Sequence, residues 1–211
     1  MSDAFTGFPR DAFTFWKKLE KNNNRDWFQA NKALYERACR APLQALVEEL
    51  KPLYGAAKIS RINRDMRFAQ GRPPYKSYIA AGIGGSYISL SKDGVWVGTG
   101  MYKPEPAVLA RFRAAVADGE SGAALAQLVR SLRRKGYDVS THDTLASAPK
   151  GYAADHPRID LLRMKDIYAG NRLPPATLAS AKALDRVTRA MRDTAPLAGW
   201  LREHVVSRDS R

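Results

Sequence analysis

The stretch SYISLSKDGVWVGTG, residues 86–100, restricts the fold more than any other part of the chain. Tyr87, Ser89 and Ser91 alternate with Ile88 and Leu90; after a break, Val95 and Val97 alternate with Trp96 and Gly98. A period of two belongs to a strand with one face buried. The break, Ser91-Lys92-Asp93-Gly94, contains an Asp-Gly pair, which readily takes the positive φ that tight hairpin turns require. An antiparallel hairpin over about 87–99 follows, and with it a sheet that must bury one face against something else.

Helical periodicity on both sides of the hairpin supplies the cover. Pro9 and Asp11 suit a first helical turn, and Ala12, Phe13, Trp16 and Leu19 share one face of a helix ending near Lys21. Trp27, Ala30, Leu34 and Ala38, then Leu43, Leu46, Val47 and Leu50, mark a long second helix that Pro42 should kink and that Pro52 and Gly55 should end. Lys58–Asn63 and Ile79–Gly84 read as short strands. Beyond Pro104, Val108, Leu109, Phe112 and Val116 pattern one helix; Leu125, Leu128, Val129 and Leu132 pattern another, which Gly136 ends. Residues 137–158 read as a connector, Asp160–Tyr168 as a short helix, and Pro175 to about Val205 as a last helix interrupted at Pro196, with a frayed SRDSR tail. The expectation is a single α+β domain over 1–211: a central antiparallel sheet flanked by N-terminal and C-terminal helices.

The 35 Lys and Arg against 21 Asp and Glu leave a net charge of +14. Such a field attracts anions, whether nucleic acid or phosphorylated or carboxylated metabolites. The lone Cys39 can form no intrachain disulfide or Cys-rich zinc site, and its helical setting suggests a buried thiol. His142, His156 and His204 show no ligand spacing, so no metal is expected. No G-x-G-x-x-G occurs, and Gly71-Arg72-Pro73-Pro74-Tyr75-Lys76-Ser77 lacks the second glycine of a phosphate loop, so no cofactor is expected. Acids and a proline stand where a signal peptide would need apolar residues, and no stretch is long and apolar enough for a membrane span, which points to a soluble, cytoplasmic protein without membrane partners.

Three segments carry candidate chemistry. In KISRINRDMRFAQGRPPYK, residues 58–76, Lys58, Arg61, Arg64, Arg67, Arg72 and Lys76 face one acid, Asp65, with Phe68 and Tyr75 among them. Guanidinium forks match phosphate or carboxylate oxygens, and an ion cluster within apolar alternation suggests partial burial. In NNNRDWFQANK, residues 22–32, Arg25 and Asp26 open a helix, while Trp27 reads as core. In DHPRIDLLRMK, residues 155–165, His156 is an acid–base candidate and Lys165 an anion contact.

Taken with Gly100-Met101-Tyr102-Lys103-Pro104-Glu105-Pro106 and Gly151, these segments make the chain resemble the bacterial and fungal family called domain of unknown function 2461. The matching residues are Asn22–Phe28, Ala30–Lys32, Arg61, Arg64–Phe68, Pro74–Lys76, Gly100–Pro106, His156-Pro157, Asp160–Leu162 and Lys165. Gly71-Arg72 stands where the family often has Asp-Lys. The resemblance implies one domain and a shared fold, and it assigns no reaction. Its polar and amphipathic motif residues, Arg25, Arg64, Arg67, Tyr75, Lys76, Tyr102 and Lys165, are the expected ligand contacts. His156 and Asp65 are the candidates for any catalysis. A pocket for a small anion leads; nucleic-acid binding and a purely structural or interaction role are the alternatives.

Overall fold

The structure is a computed structural model, and it describes residues 4–65, 67 and 71–206. Six strands form one sheet in the order β1-β2-β3-β4-β6-β5. They are β1 (Lys58–Ile59), β2 (Tyr78–Ile83), β3 (Ser86–Ser91), β4 (Gly94–Met101), β5 (Asp138–Ser140) and β6 (Ile167–Leu173). β1 with β2, β2 with β3, and β5 with β6 pair antiparallel. Only Lys92 and Asp93 separate β3 from β4, and neighbouring strands joined so tightly must also run antiparallel. The hairpin therefore forms as its Asp-Gly turn requires, with Gly94 at φ 110°. The fold is α+β, with helices flanking the sheet.

The chain sorts into two compact units, Met1–Val97 with Arg172–Arg189, and Gly98–Asn171 with Ala190–Arg211. In the first unit, α1 (Arg10–Lys21) buries Ala12, Phe13, Phe15, Trp16 and Leu19. The second predicted helix is four pieces: α2 (Arg25–Ala30), α3 (Lys32–Tyr35), a π-helical turn (Glu36–Arg40) and α4 (Ala41–Tyr54). The π turn lies immediately before Pro42. A proline ring collides with the carbonyl four residues back, here Ala38, and one wider turn removes the collision. Pro52 does not end α4, which continues two residues to Gly55 at φ 81°. Leu43, Leu46, Val47 and Leu50 are buried on α4, which packs on β2. Each apolar side chain of this size contributes about 1.5–3 kcal/mol when fully buried. Phe15, Trp16, Phe28 and Tyr35 form an aromatic cluster with centroids 5.2–6.4 Å apart. Trp27 is only half-buried, 5.7 Å from Phe15, and Phe28 occupies the core instead. Cys39 is fully buried, and desolvation pushes its thiol far above the ordinary range.

In the second unit, α5 (Pro106–Ala117) and α6 (Gly119–Arg134) pack together and bury Phe112, Val116, Leu125, Val129 and Leu132. Trp200 meets Phe112 edge-on at 6.1 Å and donates from its indole nitrogen to the Ser121 carbonyl at 3.0 Å. β5 lies in the predicted connector, and the predicted helix Asp160–Tyr168 is a single turn, α7 (Ile159–Leu162), followed by β6. The last helix, α8 (Lys182–His204), runs through Pro196 after a 3-10 turn at Pro175–Thr177. Pro196 and Arg192 are both exposed, so water can serve the Arg192 carbonyl that proline leaves unbonded. The SRDSR tail lies outside the described residues. Among the described residues, no helix is long and apolar enough to cross a membrane.

Candidate functional site

The basic segment of the first unit forms a two-stranded finger. Asn63 bridges Tyr75, the Arg64 amide donates to the Pro74 carbonyl at 2.8 Å, and the Lys76 amide donates to the Ile62 carbonyl at 2.9 Å. Asn23 clamps it from the helical layer: its side-chain amide donates to the Tyr75 carbonyl at 3.0 Å and accepts from the Tyr75 amide at 3.1 Å. The Tyr75 ring is buried and stacks on Phe28 at 4.1 Å. Asn23 and Phe28 of the 22–28 motif thus meet the finger that carries the motif residues Arg64, Tyr75 and Lys76.

This pairing puts Arg64 and Lys76 on one face at diagonal positions, where side chains stand about 7–8 Å apart at the backbone. Both are half-buried, and Arg64 Nε donates to the Tyr75 carbonyl at 3.3 Å. Among the described residues, no carboxylate forms an ion pair with either. The segment's one acid, Asp65, holds Arg67 in a fork at 2.6 and 3.0 Å and also accepts from the Arg67 amide at 3.1 Å. That pair is exposed, not part of a buried ion cluster: the side chains retain 81% and 47% of their accessible surface. The hydrogen bond from Arg67 holds the Asp65 carboxyl below its usual range. Arg61 and Arg72 are exposed, as is Arg25 on the first residue of α2, whose cap is Asn24 accepting from the Trp27 amide at 2.9 Å. Phe68 lies outside the described residues.

The remaining predicted residues, Tyr102, His156 and Lys165, belong to the second unit. His156 Nδ1 accepts from the Arg158 amide at 3.0 Å. This turn aims Arg158 at the end of α5, where its guanidinium donates to the carbonyls of Val116, Ala117 and Asp118 at 2.6–2.9 Å. Helix ends leave such carbonyls unbonded, so His156-Pro157-Arg158 serves as a remote C-cap.

Tyr102 and Lys165 lie instead near a histidine that no sequence pattern singled out. His142 Nδ1 is 3.0 Å from Asp166 Oδ2. Asp166 is buried, its side chain 4% exposed, and its other oxygen accepts from the His142 amide and the Thr141 hydroxyl, both at 2.8 Å. A carboxylate accepts only, so in the neutral imidazole the contact selects the tautomer with the proton on Nδ1 and the lone pair on Nε2. The imidazole is half-exposed and lies 4.9 Å from both the Tyr102 and Tyr168 rings. Tyr168 donates to Asp138 at 3.2 Å, and burial, chiefly, raises its phenol. Lys165 holds Asp143 at 2.7 Å and keeps that carboxyl low. Lys103 Nζ sits 5.5 Å from the Tyr102 ring centre. Lys103 is the one described non-glycine residue at positive φ, 44°, a conformation costing about 1–3 kcal/mol. Gly100 makes the approach of β4 to β6 feasible, since a Cβ there would fall on the Ile167 carbonyl and 2.6 Å from Tyr168 Cα.

The Gly100–Pro106 and Asp160–Lys165 motifs therefore flank one polar cluster, as the motifs at 22–28 and 61–76 build one finger. The family described as conserved hypothetical protein (DUF2461) matches residues 11–200. The chain belongs to that family. No curated protein and no solved structure matches it. In this DUF2461 chain, His142 escaped the sequence reading because its partner Asp166 is 24 residues away, beyond any local spacing rule. The usable signal was Asp166 itself, an acid at the head of the apolar run Ile167–Ala169. The second unit also has an open groove of about 620 Å³ lined by Arg111, Asp118, Glu203 and His204 among others. Two of its polar groups already serve the fold, Arg111 Nε donating to the Val205 carbonyl at 2.7 Å and Asp118 capping α6.

Proposed function

We propose that this chain binds a small phosphorylated or carboxylated ligand through the finger of the first unit, with Arg64 and Lys76 as the principal contacts and Arg67 and Arg25 supplying further positive charge. The observation that supports this reading is the placement of Arg64 and Lys76 on one face of a clamped finger, half-buried, with no carboxylate of the described residues paired to them. An anion that met both would replace solvent on two cations, Arg64 held through its Nε bond to the Tyr75 carbonyl and Lys76 placed by its backbone pairing in the finger, and charge-assisted hydrogen bonds of this kind are the stronger class. Tyr75 contributes by stacking on Phe28 and so fixing the finger, while Asp65 fixes Arg67. A free, buried Cys39 suits the reducing cytoplasm, where we place the protein.

Thermal unfolding in inorganic phosphate, with sodium chloride at matched ionic strength as reference, tests the site. Phosphate should raise the wild-type midpoint and leave those of Arg64→Ala and Lys76→Ala unmoved. A binding free energy that grows as the logarithm of ligand concentration predicts about 2.7 kcal/mol at one hundred times Kd. Equal shifts in all three proteins, or none in the wild type, would remove the finger as a ligand site.

A further inference from the structure

We propose that His142 and Asp166 form an acid–base pair in the second unit that acts on small organic anions bearing a hydroxyl group. Every residue of the site belongs to the second unit and none to the finger. A buried carboxylate with both oxygens engaged by the Thr141-His142 turn fixes the half-exposed imidazole through Nδ1, which leaves Nε2 of the neutral ring as the nitrogen with the lone pair. The Tyr102 and Tyr168 rings each lie 4.9 Å from the imidazole and Lys103 Nζ lies 5.5 Å from the Tyr102 ring centre, so two aromatic rings and an ammonium group stand in the neighbourhood of the imidazole. Among the described residues, the charged groups on the neighbouring segments include Asp138, held by Tyr168, and the Asp143–Lys165 pair.

The chemical step is a proton transfer. A ligand O–H within about 3 Å of Nε2 can give up its proton to that nitrogen. The oxygen keeps the bonding electron pair and becomes nucleophilic, while the imidazolium is stabilised by Asp166; reversal returns the proton. Lys103 suits the anionic group of the same ligand. His142 is the catalytic residue in this assignment and Asp166 a positioning residue.

The tautomers give a direct experiment. Diethyl pyrocarbonate acylates an unprotonated ring nitrogen, so His142 should react through Nε2. His156 should react slowly, because its Nδ1 is occupied by the Arg158 amide. Modification of each histidine is followed by peptide mass spectrometry on the intact, folded protein. His142 is expected to be the faster, and glycolate and glycerol 2-phosphate should protect it where sulfate, which carries no hydroxyl to give, does not. In Asp166→Asn the His142 rate should fall roughly tenfold or more, as loss of an orienting partner does elsewhere. His156 should keep its rate there as the internal control for folding. Two-bond proton–nitrogen correlation should show His142 protonated on Nδ1 in the wild type and not in Asp166→Asn. Should the Asn variant fail to fold, wild-type tautomer and protection decide alone. His142 reacting no faster than His156, a wild-type ring protonated on Nε2, or protection absent or equal with sulfate would each overturn the assignment.

Discussion

Two glycines show how a single missing Cβ governs the second unit. At Gly100 a methyl group would meet the Ile167 carbonyl and Tyr168 Cα, backbone atoms of β6 that cannot swing aside. Gly100→Ala should therefore destabilise by about 1–3 kcal/mol, the range for overpacking a tight site. Gly119, the first residue of α6, has nothing within 4 Å of a built Cβ. Gly119→Ala should be neutral or stabilise by up to about 1 kcal/mol, because alanine restricts the unfolded chain. Urea unfolding of the two variants beside wild type reads the contrast. A Gly100→Ala midpoint equal to wild type would mean that β4 and β6 separate easily, and that Tyr168 is not held against His142 by the strand contact.

At the scale of the element, the α5–α6 junction depends on one carboxylate. Asp118 Oδ1 accepts from the Glu120 and Ser121 amides at 3.0 and 2.9 Å and from the Ser121 hydroxyl at 2.9 Å. These bonds, those from Ser121 foremost, lower its carboxyl from 3.8. A carboxyl lowered by folding stabilises fully above its unfolded pKa, and the contribution disappears as the pH falls through the folded value. Asp118→Asn, with an equally good cap but no titration, should match wild type near neutrality and lose less stability between pH 4 and pH 2. Asp118→Ala should be weaker at both ends. Denaturant midpoints across that range decide, and parallel acid limbs for wild type and Asn would refute the assignment.

The same scale separates what the sequence disclosed from what it hid. The β3–β4 hairpin was legible because Asp93-Gly94 sits between two alternating runs, and α1 because Pro9 and its apolar stripe agree. β6 was hidden. Ile167, Ala169 and Gly170 are all buried, so the strand shows no alternation, and β5 is three residues long. Pro196 looked like a break because a sequence does not show that water can serve the Arg192 carbonyl. The finger's residues were legible as motifs, yet their clamp joins Asn23 to Tyr75 across 52 positions. The His142–Asp166 pair is long-range in the same way, so only the fold could assemble it.

For the whole molecule, the +14 charge is a sum over cations on many elements, including Lys17, Lys18 and Lys21 on α1, Arg130, Arg133 and Arg134 on α6, and Arg189, Arg192 and Arg202 on α8. A field built this way attracts any polyanion without reading it. The protein should hold single-stranded oligonucleotides at low salt whatever their sequence, and release them as salt rises with a log–log slope of about −0.7 per phosphate contacted. Removing Arg64 or Lys76 should change that slope by no more than about one contact, roughly 0.7, because each is one cation among 35. The same two substitutions should abolish the phosphate effect on thermal unfolding, because there they remove a local pair. Fluorescence anisotropy with two oligonucleotides of unrelated sequence, across a salt series, makes the comparison. Retention of one sequence and release of the other at high salt would show base recognition, and nucleic acid would then replace the small anion as the ligand to pursue.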